Sequence, residues 1–159
     1  MNLGCPHYHE GWQCVDANPL DRRVIKADAI EYLKARYQMA DHIYSKNLLE
    51  HLGNPLRFLE LCNWALAPGG TLELITDNAW WIPFYLPFWI DRTGIGAHAC
   101  EAYAENTCSR YAGSPHYMVF SKMHLRNLLR DSGFSPVEMR YTTFFARIYV
   151  RALKASEEK

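Results

Sequence analysis

Short apolar runs alternate with helical patterns through the first half of the chain. Residues 29–36 combine helix formers with Ile30 and Leu33 three positions apart, which predicts a helix. Asn54-Pro55 suits a helix start, and Pro68-Gly69-Gly70 is expected to end that helix and lead into a strand. The predicted strands are Met1 to Gly4, Gln13 to Val15, Val24 to Ala27, His42 to Tyr44 and Leu72 to Thr76.

A helix and a hairpin are predicted near the end of the chain. Ser121 can cap a helix that carries Leu125 and Leu129 and that ends at Gly133. Val137 to Tyr141 and Phe144 to Val150 then predict two antiparallel strands joined at Thr142-Thr143. The fold class is therefore α/β, with a Rossmann-like, mainly parallel sheet and one antiparallel strand near the C-terminus.

The first crossover is too short for the usual connection. Parallel neighbours normally need a dozen or more residues between them, and only six residues separate Cys5 from Trp12. We therefore expect the first crossover helix to be short or missing. Because parallel sheets are buried on both faces, we expect the aromatic insertion or a second subunit, as in a homodimer, to cover the exposed part of the sheet.

Length and composition favour one domain. The 159 residues are 49% hydrophobic, and we expect a single domain over 1–153, with an aromatic lid insertion at 79–120 and a charged tail at 154–159. The 17 basic and 17 acidic side chains cancel, so no nucleic acid partner is expected. No apolar stretch approaches the roughly 20 residues that span a bilayer, so we expect no membrane association and a cytoplasmic protein.

Polar side chains follow the predicted strands, and ligands of such sheets bind at the carboxyl ends of the strands. A dinucleotide would need Gly-x-Gly-x-x-Gly between strand and helix, whereas this chain has Leu3-Gly4-Cys5-Pro6, and Pro6 lacks an amide proton. No Walker-type Gly-Lys-Ser/Thr occurs. A nucleoside without phosphates therefore suits this edge better than NAD or ATP.

In order along the chain, five segments resemble the motifs of class I S-adenosylmethionine-dependent methyltransferases. They are Leu3-Gly4-Cys5, Gly11 to Asp16, Ala27-Asp28-Ala29, Ser45 to Leu52 and Leu66 to Leu72. The closest resemblance is to small members of the methyltransferase type 11 kind, with a Gly-Trp-x-x-Val-Asp second strand. It implies a methyltransferase that uses S-adenosylmethionine and acts on a small or medium-sized molecule.

The resemblance also implies roles for individual residues. Gly4 would let the backbone approach the methionyl end, Asp16 would accept from the ribose hydroxyls, and Asp28 would accept from the adenine amino group. The implied cofactor-binding set is Leu3, Gly4, Cys5, Asp16, Ala27, Asp28, Ala29, Ile30, Ser45 and Lys46. Asn47, His51 and Asp77 are the catalytic candidates, since a base is needed only for an acceptor that carries a proton of high pKa. The expected acceptor pocket consists of Trp80, Trp81, Tyr85, Trp89, His98, His116 and Tyr117.

Several of these residues have a structural interpretation as well. Asp16 can end a strand and cap a turn, Asp28 can cap a helix, and His51 can stabilise the end of a short helix. Two loose Cys and His sets lack paired Cys-x-x-Cys spacing, so no metal site is predicted; they are Cys5, His7, His9 and Cys14, and His98, Cys100, Cys108 and His116.

Two other functions remain open at this point. Pro6 stands where the family commonly has a second glycine, which is compatible with a catalytically degenerate fold kept as a binding or interaction module. A dinucleotide-dependent enzyme is disfavoured by the missing glycines. Nicotinamide binding would revive that second alternative.

Overall fold

The structure, a computed structural model, describes residues 1–81 and 118–155. Seven strands in these residues form one sheet in the order β3-β2-β1-β4-β5-β7-β6. The strands are β1 Asn2–Leu3, β2 Cys14–Asp16, β3 Ile25–Lys26, β4 Ala40–Lys46, β5 Leu66–Asp77, β6 Phe134–Thr142 and β7 Arg147–Lys154. The helices are α1 Ala29–Lys34, α2 Pro55–Ala65 and α3 Lys122–Asp131, with a 3-10 turn at Leu49–His51.

One strand of the sheet runs against the others. Strands β1 to β5 pair in parallel, whereas β7 is antiparallel to both of its neighbours, β5 and β6. The predicted fold class, a mainly parallel sheet with one reversed strand near the C-terminus, is therefore confirmed. The carboxyl ends of all five parallel strands consequently lie along one edge of the sheet.

Each of the three α-helices in the described residues begins where the sequence provides a capping side chain. Asp28 accepts hydrogen bonds from two amides in the first turn of α1. Asn54 accepts from the amide of Arg57, with Pro55 in the first turn of α2, and Ser121 accepts from the amide of His124. These caps satisfy backbone donors that have no partner inside the helix.

The connection from α2 to β5 differs from the prediction. The helix ends at Ala65, three residues before Pro68, and β5 starts at Leu66 rather than at Leu72. The pairing with β4 jumps from Ala40↔Leu66 to His42↔Thr71, so the Pro-Gly-Gly segment bulges out of the ladder. Gly69 has a φ of +74°, which explains why the bend occurs inside the strand instead of ending the helix.

The predicted C-terminal hairpin forms, with longer strands and a longer loop. The two strands pair from Phe134↔Lys154 to Thr142↔Arg147, so the loop consists of residues 143–146 rather than Thr142-Thr143. Thr143, Phe144 and Phe145 all have positive φ, which gives the chain its tight reversal. Strand β7 also extends one residue into the predicted charged tail.

The first crossover contains no helix. The chain passes from β1 to β2 through residues 4–13, which confirms that the first crossover helix is missing. Trp12 from this connection packs against the rings of His42 and Tyr44 on β4, at centroid distances of 5.3 and 6.0 Å. A short loop with an aromatic side chain thus occupies the place of a helix.

The two faces of the sheet differ in their cover. One face supplies alternate strand residues such as Ile43, Leu74 and Val150 to the main core, which also contains residues from α1, α2 and α3. The other face carries half-buried Tyr44, Glu73 and Tyr149. The expected cover for this second face, by the insertion or by a second subunit, remains a prediction.

Candidate active site

The candidate site is a row of strand ends along the carboxyl edge of the sheet. The strand order places the end of β3 beside β2, then β1, β4 and β5. The residues in this row are, in the same order, Asp28, Asp16, Gly4, Ser45 to Asn47, and Asp77 with Asn78. The fold therefore brings together polar residues that are up to 62 positions apart in the sequence, from Asp16 to Asn78.

Gly4 is the residue of this row whose conformation only glycine suits. Its φ is +72°, and an added Cβ would lie 3.1 Å from the Cβ of Leu48. Its amide donates to the carbonyl of Val15 at 2.9 Å, which ties the end of β1 to β2. Glycine is needed here because Leu48 approaches the backbone closely, and the approach of a cofactor to Gly4 remains a prediction.

The side chains of Leu3 and Cys5, on either side of Gly4, are not available to a ligand, so these residues could contact one only through their backbones. The side chain of Leu3 lies in the main core. The Cys5 thiol is buried and donates to the carbonyl of His7 at 2.9 Å. Burial and the neighbouring Cys14 raise the pKa of the Cys5 thiol to about 11, so it stays protonated at neutral pH.

Asp16 ends β2 and caps the turn that follows. Its Oδ1 accepts a hydrogen bond from the amide of Asn18 at 2.7 Å, so the structural interpretation is realised. The side chain is only half-buried and stands beside Gly4, so capping the turn leaves it in the row of strand ends. Binding of a ribose diol by Asp16 remains a prediction.

Asp28 likewise has the structural role that the sequence left open. Its Oδ1 accepts from the amides of Ile30 and Glu31, at 2.9 and 3.0 Å. The amide of Ala27 donates to the carbonyl of Asp16 at 3.0 Å and joins the ends of β2 and β3. Of the predicted adenine neighbours, Ala29 is buried in the main core and Ile30 packs partly against it.

The end of β4 has buried oxygens without a partner. Ser45 Oγ and Asn47 Oδ1 make no hydrogen bond to the residues that the structure describes. Asn47 has a φ of +53°, and its amide donates to the carbonyl of Ile75 at 2.8 Å, while the side chain of Lys46 is exposed. Unpartnered polar atoms of this kind are expected where a ligand supplies the missing donor.

Asp77 ends β5 in a largely buried position. It stands opposite Arg147 in the ladder, and Arg147 Nε lies 3.7 Å from its Oδ1. Burial raises the pKa of Asp77, whereas Arg147 and His51 act in the opposite direction. His51 lies in the 3-10 turn after β4, so two of the three predicted catalytic residues interact through their charges.

Sequence reasoning missed Glu50, which lies in the same 3-10 turn. It is fully buried, and Thr76 Oγ1 donates to its Oε2 at 2.8 Å. Burial and the charge of Asp77 raise the pKa of Glu50 to about 7. The available signal was an acidic residue inside the apolar run Leu48 to Leu52, since a lone carboxyl among leucines indicates burial.

The described ends of the predicted lid meet at β5. Ala79 donates to the carbonyl of Phe120 at 2.8 Å, and Asn78 pairs with Phe120 in an isolated bridge. Of the predicted acceptor pocket, Trp80 is exposed and Trp81 is half-buried. The other five predicted pocket residues lie outside the described residues; they are Tyr85, Trp89, His98, His116 and Tyr117.

Within residues 1–81 and 118–155, no three His, Cys, Asp or Glu side chains are grouped so that they could hold a metal ion. No helix in these residues is long and apolar enough to cross a membrane.

A family model described as a methyltransferase domain matches residues 7–139. The chain belongs to this methyltransferase family. The strand order and the reversed strand β7 agree with the fold predicted for class I S-adenosylmethionine-dependent methyltransferases. The predicted family is therefore confirmed, with S-adenosylmethionine as its cofactor. No functionally curated protein matches the sequence.

Solved structures share the fold of this methyltransferase domain at low sequence identity. A 1,6-didemethyltoxoflavin N1-methyltransferase from Burkholderia thailandensis, bound to its substrate and S-adenosylhomocysteine, has a TM-score of 0.59 at 15% identity, covering 89% of this chain and 60% of that one. A Thermotoga maritima protein, named as a possible histamine N-methyltransferase, has a TM-score of 0.55 at 17% identity, covering 88% and 72%. A Haloferax volcanii complex of a methyltransferase with its Trm112 activator has a TM-score of 0.59 at 13% identity, covering 89% and 71%. Among eight of the structures that it matches, the chain spans between 31% and 81% of their length, and it spans 44% of a Bordetella parapertussis protein.

Proposed function

We propose that this domain transfers a methyl group from S-adenosylmethionine to a small or medium-sized acceptor. The observation that carries the proposal is the row of strand ends in which Gly4 lies between the Asp16 carboxylate and the buried, unpartnered oxygens of Ser45 and Asn47 at the end of β4. A ligand with a diol at one end and an ammonium group at the other matches this order.

The side chains of the row fit the parts of S-adenosylmethionine. A carboxylate is an acceptor for two hydroxyl donors, which suits Asp16 to the ribose. Ser45 Oγ and Asn47 Oδ1 would accept from the amino group of the methionyl end, because each lacks a donor among the described residues. The cofactor supplies an electrophilic methyl group on a positively charged sulfur.

In this proposal, the residues of the chain position the methyl acceptor and remove a proton from it. Asp77 and His51 lie at the end of β5 and in the turn after β4, where they would accept a proton from an acceptor nitrogen or oxygen. Trp81 lies four residues after Asp77 and is half-buried, so it would help to exclude water from the transfer. The Burkholderia neighbour binds a small substrate, and the zero net charge of this chain also favours a small acceptor.

The test is a calorimetric titration with S-adenosylmethionine and S-adenosylhomocysteine. Asp16→Asn should weaken binding about tenfold or more, because hydrogen bonds to a charged acceptor contribute about 1.5–3 kcal/mol. Asp131→Asn, an exposed position on α3, is the matched control and should bind as the wild type does. Absence of both heat and a thermal shift at millimolar ligand would contradict the proposal.

A second candidate is a catalytically degenerate module that binds a partner. It is favoured by the missing first helix and by Pro6, whose carbonyl accepts from the amides of Leu20 and Asp21 and so fixes the first loop. The Haloferax neighbour, which has the same fold, was solved in complex with an activator protein. A folded protein that binds neither ligand but forms a dimer or a complex in light scattering would support this candidate.

A further inference from the structure

The buried carboxyl group of Glu50 has too few donors to be ionised at low cost. It has 0% exposure, and its Oε2 receives one hydrogen bond, from Thr76 Oγ1. Its Oε1 has no hydrogen-bond partner in residues 1–81 and 118–155. An ionised carboxylate offers about four acceptor sites, so leaving most of them empty in a buried position favours the protonated form.

A second carboxyl group, Asp77, follows the residue that donates to Glu50. Asp77 is paired with Arg147 from β7, and His51 from the 3-10 turn acts on its charge. The backbone of Glu50 also accepts from the amide of Met118, which adds no charge. Asp77, Arg147 and His51 are thus the charged or titratable groups that the described elements place around Glu50 and its neighbour.

The partners of the two carboxyl groups decide which of them holds a proton. Asp77 has a cation beside it, so its ionised form is compensated. Burial and the charge of Asp77 raise the pKa of Glu50 to about 7, although hydrogen bonds from its own backbone and from Thr76 and the charge of Arg147 act in the opposite direction. Below about pH 7 the proton of the pair therefore lies mainly on Glu50, because Asp77 is the carboxyl group with a cation beside it.

We propose that Glu50 holds a proton in the ligand-free protein and releases it to solvent when a sulfonium cation binds at the neighbouring strand ends. The inference rests on the proposed function. A cation favours the ionised carboxylate, and loss of the methyl group leaves a neutral thioether, so the proton returns to Glu50 from solvent once the product has formed. Glu50 and Asp77 together therefore carry one more negative charge with the sulfonium cofactor bound than with the neutral product bound.

Calorimetric titration across pH tests this coupling without an acceptor. Between pH 6 and 8, the affinity for S-adenosylmethionine relative to S-adenosylhomocysteine should rise about fivefold in the wild type for a one-unit fall in the pKa of Glu50, since part of the full factor of ten lies outside this pH range. The ratio should stay within about twofold in Glu50→Gln. Glu60→Gln, on α2 in an ion pair with Arg57, should behave as the wild type does.

A second measurement needs no ligand. The equilibrium constant for unfolding of the wild type should rise roughly fiftyfold or more between pH 5 and 8 relative to Glu50→Gln, because the folded state holds a proton that the unfolded state has lost. Thr76→Val removes the one donor to Glu50 and should move this loss of stability to higher pH.

Each measurement has an outcome that overturns the inference. Equal pH dependence of unfolding in the wild type and Glu50→Gln means that Glu50 holds no proton. A ratio of affinities that stays constant with pH in a wild-type protein that binds both ligands removes the coupling to the cofactor. If the wild type binds neither ligand, the proposed function fails together with the coupling, and the unfolding measurement still decides whether Glu50 is protonated.

Discussion

Carboxyl groups at two places on the same sheet edge have opposite environments. At the ends of β2 and β3, Asp16 and Asp28 are at most half-buried and accept hydrogen bonds from backbone amides. After β4 and at the end of β5, Glu50 and Asp77 are buried and have raised pKa values. The same residue type is therefore suited to binding hydroxyl groups at one place and to holding protons at the other.

The difference follows from what each strand end faces. The ends of β2 and β3 lie at the border of the sheet, where short turns supply amides and water reaches the side chains. Strand β5 lies between β4 and β7, so its end is covered by the 3-10 turn, by the hairpin and by the segment near Phe120. The pKa values of Glu50 and Asp77 are therefore raised because these carboxyl groups lie near the buried centre of the sheet, not because of their residue type.

The largest expected effect concerns the pH dependence of stability, which Glu50 dominates. Its pKa is about 7 in the folded state and 4.5 in the unfolded state. Because the folded value is the higher one, its stabilising contribution is complete below pH 4.5 and is lost as pH rises through 7. We expect the free energy of unfolding to fall by about 2–3 kcal/mol between pH 5 and 8, and Glu50→Gln to abolish this fall, as measured by urea denaturation.

An opposite slope would invert the contrast between the two places. If the free energy of unfolding of the wild type did not fall relative to that of Glu50→Gln over this pH range, Glu50 would be ionised in the folded state, and burial beside β5 would have no influence on its protonation.

The next effect concerns Gly4, where the two places meet. Gly4→Ala should lower the free energy of unfolding by about 2–4 kcal/mol, since the substitution combines a strained positive φ with overpacking against Leu48. Gly11→Ala is the matched control, because Gly11 has a φ of +78° and open space around it. Gly11→Ala should cost about 1 kcal/mol, and thermal denaturation measures both changes. If both variants lost the same free energy of unfolding, the Leu48 side chain would be shown to move away from the added Cβ without destabilising the fold.

A smaller effect separates capping from ligand binding at Asp28. Asp28→Ala should cost about 1 kcal/mol of stability through loss of the α1 cap. Ser121→Ala removes the cap of α3 and should cost a similar amount. If Asp28 also binds the adenine amino group, only Asp28→Ala should weaken S-adenosylhomocysteine binding, which calorimetry measures. Unchanged affinity in both variants would leave Asp28 with capping alone.

The predictable parts of the fold were those with local causes. The caps at Asp28, Asn54 and Ser121, and the missing helix after Cys5, depend on neighbouring residues and were correctly anticipated. Strand β5 was predicted too short because its first residues pair with β4 across a bulge, and no local pattern encodes that pairing.

The candidate site was predictable only in part, for the same reason. Asp16 and Asp77 directly end strands, so their place at the sheet edge follows from alternation of strands and helices. Glu50 escaped notice because its environment is assembled from residues that are distant in the sequence, chiefly Thr76 and Asp77. Burial of a charge by the tertiary fold has no periodic signature.

The smallest expected change in stability is at Asn47, next to the buried pair. Asn47→Gly keeps the positive φ without strain and removes the unpartnered Oδ1, so stability should change by less than about 0.5 kcal/mol. Binding of S-adenosylmethionine should nevertheless weaken about fivefold to tenfold, because one hydrogen bond contributes about 1 kcal/mol. Gln38→Gly is the matched control, since Gln38 has a φ of +50° at the opposite end of β4. A loss of affinity in both variants would point to backbone flexibility instead of a lost acceptor, and would remove Asn47 from the ligand-binding row.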